Sequence, residues 1–220
     1  MRIGIIGAGN IGGNAARRLA GAGHEVLVSF SRDEANLRRL AADLGPRASH
    51  GTPADAVRFG EVVILAVPWS TLPAVLEQAG DLSGRVVIDT TNQFGDGPKP
   101  AAGQTAAAFN AARMPGASYT KSLNTLTAGF QELAAEREGD DRVVQWICGD
   151  DEGAKRIVAT LIADAGYVPV DLGPVATCAV MEAPRRLGAV YGEEYRAADA
   201  AGVVDAVRAG RPIPPTPGYA

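Results

Sequence analysis

Ile3-Gly4-Ile5-Ile6-Gly7-Ala8-Gly9-Asn10-Ile11-Gly12-Gly13 decides the fold of this chain. An apolar run of strand length meets Gly7-x-Gly9-x-x-Gly12, and Ile11, Ala15 and Leu19 then recur on one helical face. The spacing predicts a strand, a tight turn and a helix. Gly7 allows the bend, Gly9 lets the backbone approach a pyrophosphate, and Gly12 lets helix and strand pack closely. Free N–H groups at the helix start, with the positive end of the helix dipole, suit the phosphates. In a chain with 27 glycines the pattern alone would be weak, and its place between strand and helix gives it weight. Gly7, Ala8, Gly9, Asn10, Ile11 and Gly12 are therefore candidate dinucleotide-binding residues.

Glu25-Val26-Leu27-Val28 reads as the second strand, ending in Ser29-Phe30-Ser31-Arg32. An NAD site usually places Asp or Glu here for the ribose 2′-hydroxyl, whereas two hydroxyls and a guanidinium suit a 2′-phosphate. Ser29, Ser31 and Arg32 thus point to NADP(H); the alternative for Arg32 is a solvated surface charge. His24 is expected at a turn, because it lies at the wrong end of its strand for a ligand.

Further along, a helix is expected over about Asp33–Leu44 and a short strand near Arg47–His50. Thr52-Pro53 starts another helix. Val62–Val67 is an unbroken apolar run, as for a strand covered on both faces, and Pro68-Trp69 stops it. Arg85–Ile88 is a further strand with Asp89-Thr90-Thr91-Asn92 as its polar end, and Gln93–Pro100 is a loop over the cofactor. An Ala-rich helix over about Ala101–Ala112 follows. Strands are also expected at Val143–Cys148 and Tyr167–Val170, the latter at a sheet edge because of Pro169. Alternating strands and helices imply a doubly wound, mostly parallel α/β sheet of the Rossmann NAD(P)-binding type. Residues 1–172 form that domain, 173–195 a short helical addition, and 196–220 a C-terminal helix and a Pro-rich tail.

Length and composition fit one soluble globular core, with 220 residues, 46% of them hydrophobic and 21% charged. A net charge of -4 argues against a nucleic-acid surface. No apolar stretch approaches the ~18 residues of a membrane span. Cys148 and Cys178 lack metal-ligand spacing, which suggests a reduced, cytoplasmic setting, and two histidines make a His-based metal site improbable.

Seven stretches in order carry a family resemblance: Gly7–Gly12, Gly23-His24-Glu25-Val26, Ser31-Arg32, Ala66-Val67-Pro68-Trp69, Lys121-Ser122-Leu123-Asn124-Thr125, Cys148-Gly149-Asp150-Asp151 and Asp171-Leu172-Gly173-Pro174. Together they resemble the NADPH-dependent reductases of the deazaflavin coenzyme F420 and their small relatives, over about residues 1–175. The resemblance implies a homodimer and hydride exchange between NADPH and a second ring system. The region of Gly192-Glu193-Glu194-Tyr195 and the Pro-rich tail departs from those reductases, and in the family that region helps shape the second site.

Hydride transfer between two stacked rings needs orientation more than a side-chain acid, so the lack of an evident catalytic triad is compatible with it. No Tyr-x-x-x-Lys pair is present. Ala66, Val67, Pro68 and Trp69 are placed to line the nicotinamide end, Pro68 and Trp69 either as a wall of the ring pocket or as strand termination. Thr91 and Asn92 either hold a carboxamide or cap a turn. Lys121 and Asn124 form the one plausible electrophilic pair and are the catalytic candidates. Asp150 and Asp151 are better read as a helix start, and Arg17 and Arg18 as solvated. The alternatives are an NADPH-dependent reductase of a flavin, quinone or small carbonyl or imine, and an NADPH-binding sensor without turnover.

Overall fold

The computed structural model describes residues 1–31 and 33–219. Among the described residues, eight strands form one sheet: β1 (Arg2–Ile6), β2 (Glu25–Ser29), β3 (Ala48–Gly51), β4 (Val62–Leu65), β5 (Val86–Asp89), β6 (Ser118–Lys121), β7 (Val144–Gly149) and β8 (Val168–Gly173). Their spatial order is β3-β2-β1-β4-β5-β6-β7-β8. The first six are parallel, β7 runs antiparallel to β6, and β8 runs parallel to β7. The order reverses between β1 and β4, where a doubly wound sheet opens its ligand crevice at the carboxyl ends of the strands.

Side chains alternate across the sheet, and two cores follow from that period of two. On one face Ile3, Ile5, Val26, Val28, Val62 and Ile64 meet α1 (Asn10–Gly21), α2 (Glu34–Leu44) and α7 (Glu152–Asp164). On the other, Ile6, Val63, Leu65, Val87 and Trp146 meet α3 (Pro53–Phe59), α4 (Leu72–Ala79) and α8 (Ala197–Arg208). Local chemistry sets the helix starts. Thr52 and Asp55 form a reciprocal capping box before Pro53, Asp33 caps α2, and Asp151 caps α7. Pro169 does sit in the edge strand, and His24 is buried at a turn with its Nε2 3.0 Å from Asp164 Oδ2.

Three stretches differ from the expectations. The Ala-rich helix is only α5 (Ala106–Ala111), capped by Thr105, because Pro100 and Gly103 keep the preceding residues irregular. The segment after β8 is a 3₁₀ turn over Val175–Met181 followed by irregular chain, since Pro184, Gly188 and Gly192 deny it a continuous helix. An unpredicted helix, α6 (Ala128–Ala134), stands after Asn124, with Thr127 as its cap. The Pro-rich end is an extended arm laid on the body. Ile213 is buried, Tyr195 Oη donates to Pro214 O (2.7 Å), and Tyr219 Oη donates to Asp199 Oδ2 (2.6 Å).

Candidate functional site

The turn after β1 is built by close approach. Gly7 has φ +111°, and a Cβ there would stand 2.2 Å from Ala66 O; a Cβ on Gly12 would stand 1.8 Å from Gly7 O. Gly9 differs, since a Cβ on it would meet nothing within 4 Å among the described residues. It borders a cleft of about 560 Å³ shared with Ala8, Asn10 and Asn14. Arg17 and Arg39 in that cleft are balanced by Asp43 and Glu132. Helix α1 begins without a side-chain cap, so its first N–H groups and the dipole are left for an anion.

The end of β2 is stapled to this turn: Gly7 N donates to Ser29 O (2.9 Å) and Ala8 N to Phe30 O (3.2 Å). Phe30 holds φ +57°, a left-handed conformation uncommon for a side-chain-bearing residue. Ser29 needs correcting as a ligand contact, because it is fully buried and its Oγ donates to Ile5 O (3.1 Å). Ser31 stays at the rim, its Oγ accepting from Asp33 N (3.3 Å). Arg32 lies outside the described residues.

At the ends of β4 to β6 the chain gathers a buried polar network. Asp89, closing β5, is fully buried and accepts from Tyr119 Oη (2.6 Å), Asn110 Nδ2 (2.8 Å) and Thr91 N (2.7 Å). Lys121, its register partner on β6, is equally buried; its Nζ donates to Thr91 O (2.7 Å) and lies 3.6 Å from Asp89 Oδ2. Burial by itself would push the Asp89 pKa up. The Lys121 charge and the donors Tyr119, Asn110 and Thr91 outweigh it and hold the carboxyl below its usual value. Burial, then the Asp89 charge, drives the Tyr119 phenol well above its ordinary range, so it remains a donor.

Above this network Asn92 and Asn124 clasp one another: Asn92 Nδ2 donates to Asn124 O (2.8 Å) and Asn124 Nδ2 to Asn92 Oδ1 (3.2 Å). Asn124 Nδ2 also donates to Met181 O (2.7 Å), which ties both strand ends to the chain after β8. Asn124 Oδ1 and Thr125 Oγ1 are buried without a partner among the described residues. Between them and Lys121, Leu123 holds φ +57°. Pro68 is exposed at the end of β4 beside Ala66 and Val67. Trp69 is not a free wall: it is 2% exposed, and its Nε1 donates to Pro98 O (2.8 Å), anchoring the 93–100 loop.

The structure thus brings Thr91, Asn92, Lys121 and Asn124 together, with Lys121 turned inward. The sequence reading missed Asp89, Tyr119 and Asn110. One signal was present, a carboxylate ending an apolar strand opposite a strand carrying Tyr119 and Lys121 two residues apart. Among the described residues no three His, Cys, Asp or Glu side chains could hold a metal ion, and no helix is long and apolar enough to cross a membrane.

Residues 2–93 match the model of a family described as NADP oxidoreductase, coenzyme F420-dependent. A solved Sinorhizobium meliloti protein, the hypothetical protein SMa0349, is 30% identical with a TM-score of 0.76, covering 89% of this chain and 96% of that one. The chain belongs to this NADP oxidoreductase family. Members of that family are described as NADP oxidoreductases. A putative F420-dependent NADP-reductase from Arthrobacter sp. FB24 is 26% identical with a TM-score of 0.68, over 81% of this chain and 87% of that one. Metalloreductase STEAP3 of Rattus norvegicus is 30% identical over 187 residues, which are 84% of this chain and 37% of the relative. The chain therefore spans little more than a third of that relative's length.

Proposed function

We propose that this oxidoreductase exchanges hydride between NADP(H) and a planar ring acceptor of the deazaflavin type, coenzyme F420, at the carboxyl ends of β4, β5 and β6. One observation carries the proposal: the ionisable residues closing β5 and β6, Asp89 and Lys121, are both fully buried and bonded to one another's surroundings. Reduction of an imine or carbonyl wants a placed proton donor, whereas ring-to-ring hydride transfer wants orientation. The residues fit the dinucleotide. The uncapped start of α1 and the open side of Gly9 leave room and donors for a pyrophosphate, over Gly7 to Gly12. Ser31 and Arg32 are assigned to the 2′-phosphate, Ala66, Val67 and Pro68 to the edge of the nicotinamide half, and Asn92 and Asn124 to its carboxamide. NADPH supplies the hydride. In this reading Lys121 is a positioning residue that fixes Thr91, and Asn124 touches the ligand.

The test is an anaerobic stopped-flow titration of purified protein with NADPH and oxidised coenzyme F420. Joint loss of the nicotinamide and deazaflavin absorbances is expected. Tight NADPH binding with turnover of a cyclic imine but no deazaflavin would overturn the proposal.

A further inference from the structure

Phe94 is a large apolar side chain left 57% exposed at the rim of the proposed site. It leaves β5 two residues past Asn92, with its N–H donating to Asn92 O (2.9 Å). Tyr191 arrives at the same place from the chain after β8, which is tied to the residues following β6 because Gly192 N donates to Thr125 O (2.8 Å). The two rings stand 6.3 Å apart between centroids and are inclined by 57°. The Asn92–Asn124 clasp fixes their base, and Ala183 N adds a bond to Asn92 Oδ1 (3.4 Å). The neighbouring cation does not dominate the spot, since Arg185 is paired with Glu193 (2.7 Å).

β5 lies two strands from β1, roughly 10 Å across the sheet. A dinucleotide seated on the turn after β1 extends towards β4 and β5, and a ring stacked beyond it meets the Phe94–Tyr191 edge. An aromatic pair with Phe94 exposed and Tyr191 half-buried loses water most favourably against another flat π-surface. We infer that Phe94 and Tyr191 form a stacking surface for the acceptor, selecting conjugated heteroaromatic oxidants over small aliphatic imines and carbonyls. This rests on the ring-acceptor reading above, and it assigns specificity to residues outside the strand ends.

Binding of oxidised coenzyme F420 to the NADP⁺ complex, followed by deazaflavin fluorescence, tests it without requiring turnover. Phe94→Ala and Tyr191→Ala should each weaken binding about three- to tenfold, with NADP⁺ affinity and Tm unchanged. Phe94→Tyr should restore it. Wild-type binding of F420 with both alanine variants unchanged to within about twofold overturns the stacking surface and leaves the ring-acceptor reading intact. A wild-type protein that binds no deazaflavin overturns both.

Discussion

Lys121→Met is the most informative single change, because Lys121 and Asp89 are each fully buried and 3.6 Å apart. The substitution keeps the volume, removes a charged hydrogen bond to Thr91 O, and leaves Asp89 without its ion-pair partner. Losing one partner of a buried pair costs about 3–5 kcal/mol, a large share of the ~5–15 kcal/mol that holds a domain together. Adding Asp89→Asn removes the orphaned charge while Tyr119 keeps an oxygen to donate to. The double variant should therefore recover about 2–3 kcal/mol relative to the sum of the single losses. Urea midpoints for the four proteins measure this cycle. The pH dependence has a sign as well. The depressed Asp89 pKa contributes stability present above the unfolded carboxylate pKa and lost as pH falls through the folded one. With Lys121 gone, the strongest influence lowering that pKa is lost and it rises towards the unfolded value, so the gap between wild type and Lys121→Met should close in acid. Additive single losses would refute the buried pair as an energetic unit. A folded double variant that binds NADPH normally yet has no turnover would move Lys121 from holding Thr91 to touching the reacting atoms.

Gly9→Ala and Gly12→Ala should separate binding from folding. The first meets nothing within 4 Å among the described residues and should leave Tm unchanged while weakening NADPH at least about tenfold; the second drives a methyl into Gly7 O and should lower both. Normal NADPH affinity in Gly9→Ala, read by fluorescence titration, would remove the pyrophosphate from this turn. Arg32→Ala should weaken NADPH about 1.5–3 kcal/mol more than NADH, and equal losses would withdraw the 2′-phosphate from Arg32. Ile213→Ala should cost about 2–4 kcal/mol in a urea titration, because the arm carrying it is part of the core. An unchanged midpoint would mean that the arm contributes nothing in solution.

The fold was legible wherever burial repeats locally. Val62–Leu65 and Val86–Ile88 are wholly apolar because both faces of the central sheet are covered, and glycine spacing marks the turn between β1 and α1. Helix α6 left little trace: seven residues, Gly129 among them, bury only Gln131 and Ala134, too few for a periodic signal. The reversal at β7 was equally silent, since a strand's direction depends on the length and path of the connection from β6 and not on its own residues. Ser29 and Trp69 illustrate a different limit. Both lie at strand ends where ligands gather, yet Ser29 bonds to Ile5 O and Trp69 to Pro98 O, bonds set by chain segments 24 and 29 residues away.

The buried network shows why the chemistry was harder to read than the fold. Asn110, Tyr119 and Lys121 lie 21, 30 and 32 positions beyond Asp89, and the pairing of β5 with β6, with α5 packed beside them, brings them together. In the chain, Lys121 and Asn124 share a motif and suggest a common catalytic task. In the fold they separate by direction. Lys121 points under β5 to Asp89 and Thr91, while Asn124 points along the strand ends to Asn92 and Met181. The left-handed Leu123 between them is the element that turns one inward and the other across the rim. Replacing Leu123 with glycine would relax that φ at the expense of a buried side chain. The loss expected from the buried leucine is about 2–5 kcal/mol, less roughly 1 kcal/mol or more for the strain relieved. A variant that loses turnover beyond its loss of stability would show that Leu123 sets the geometry of Asn124. A variant whose turnover follows its folded fraction alone would show that Leu123 only fills the core.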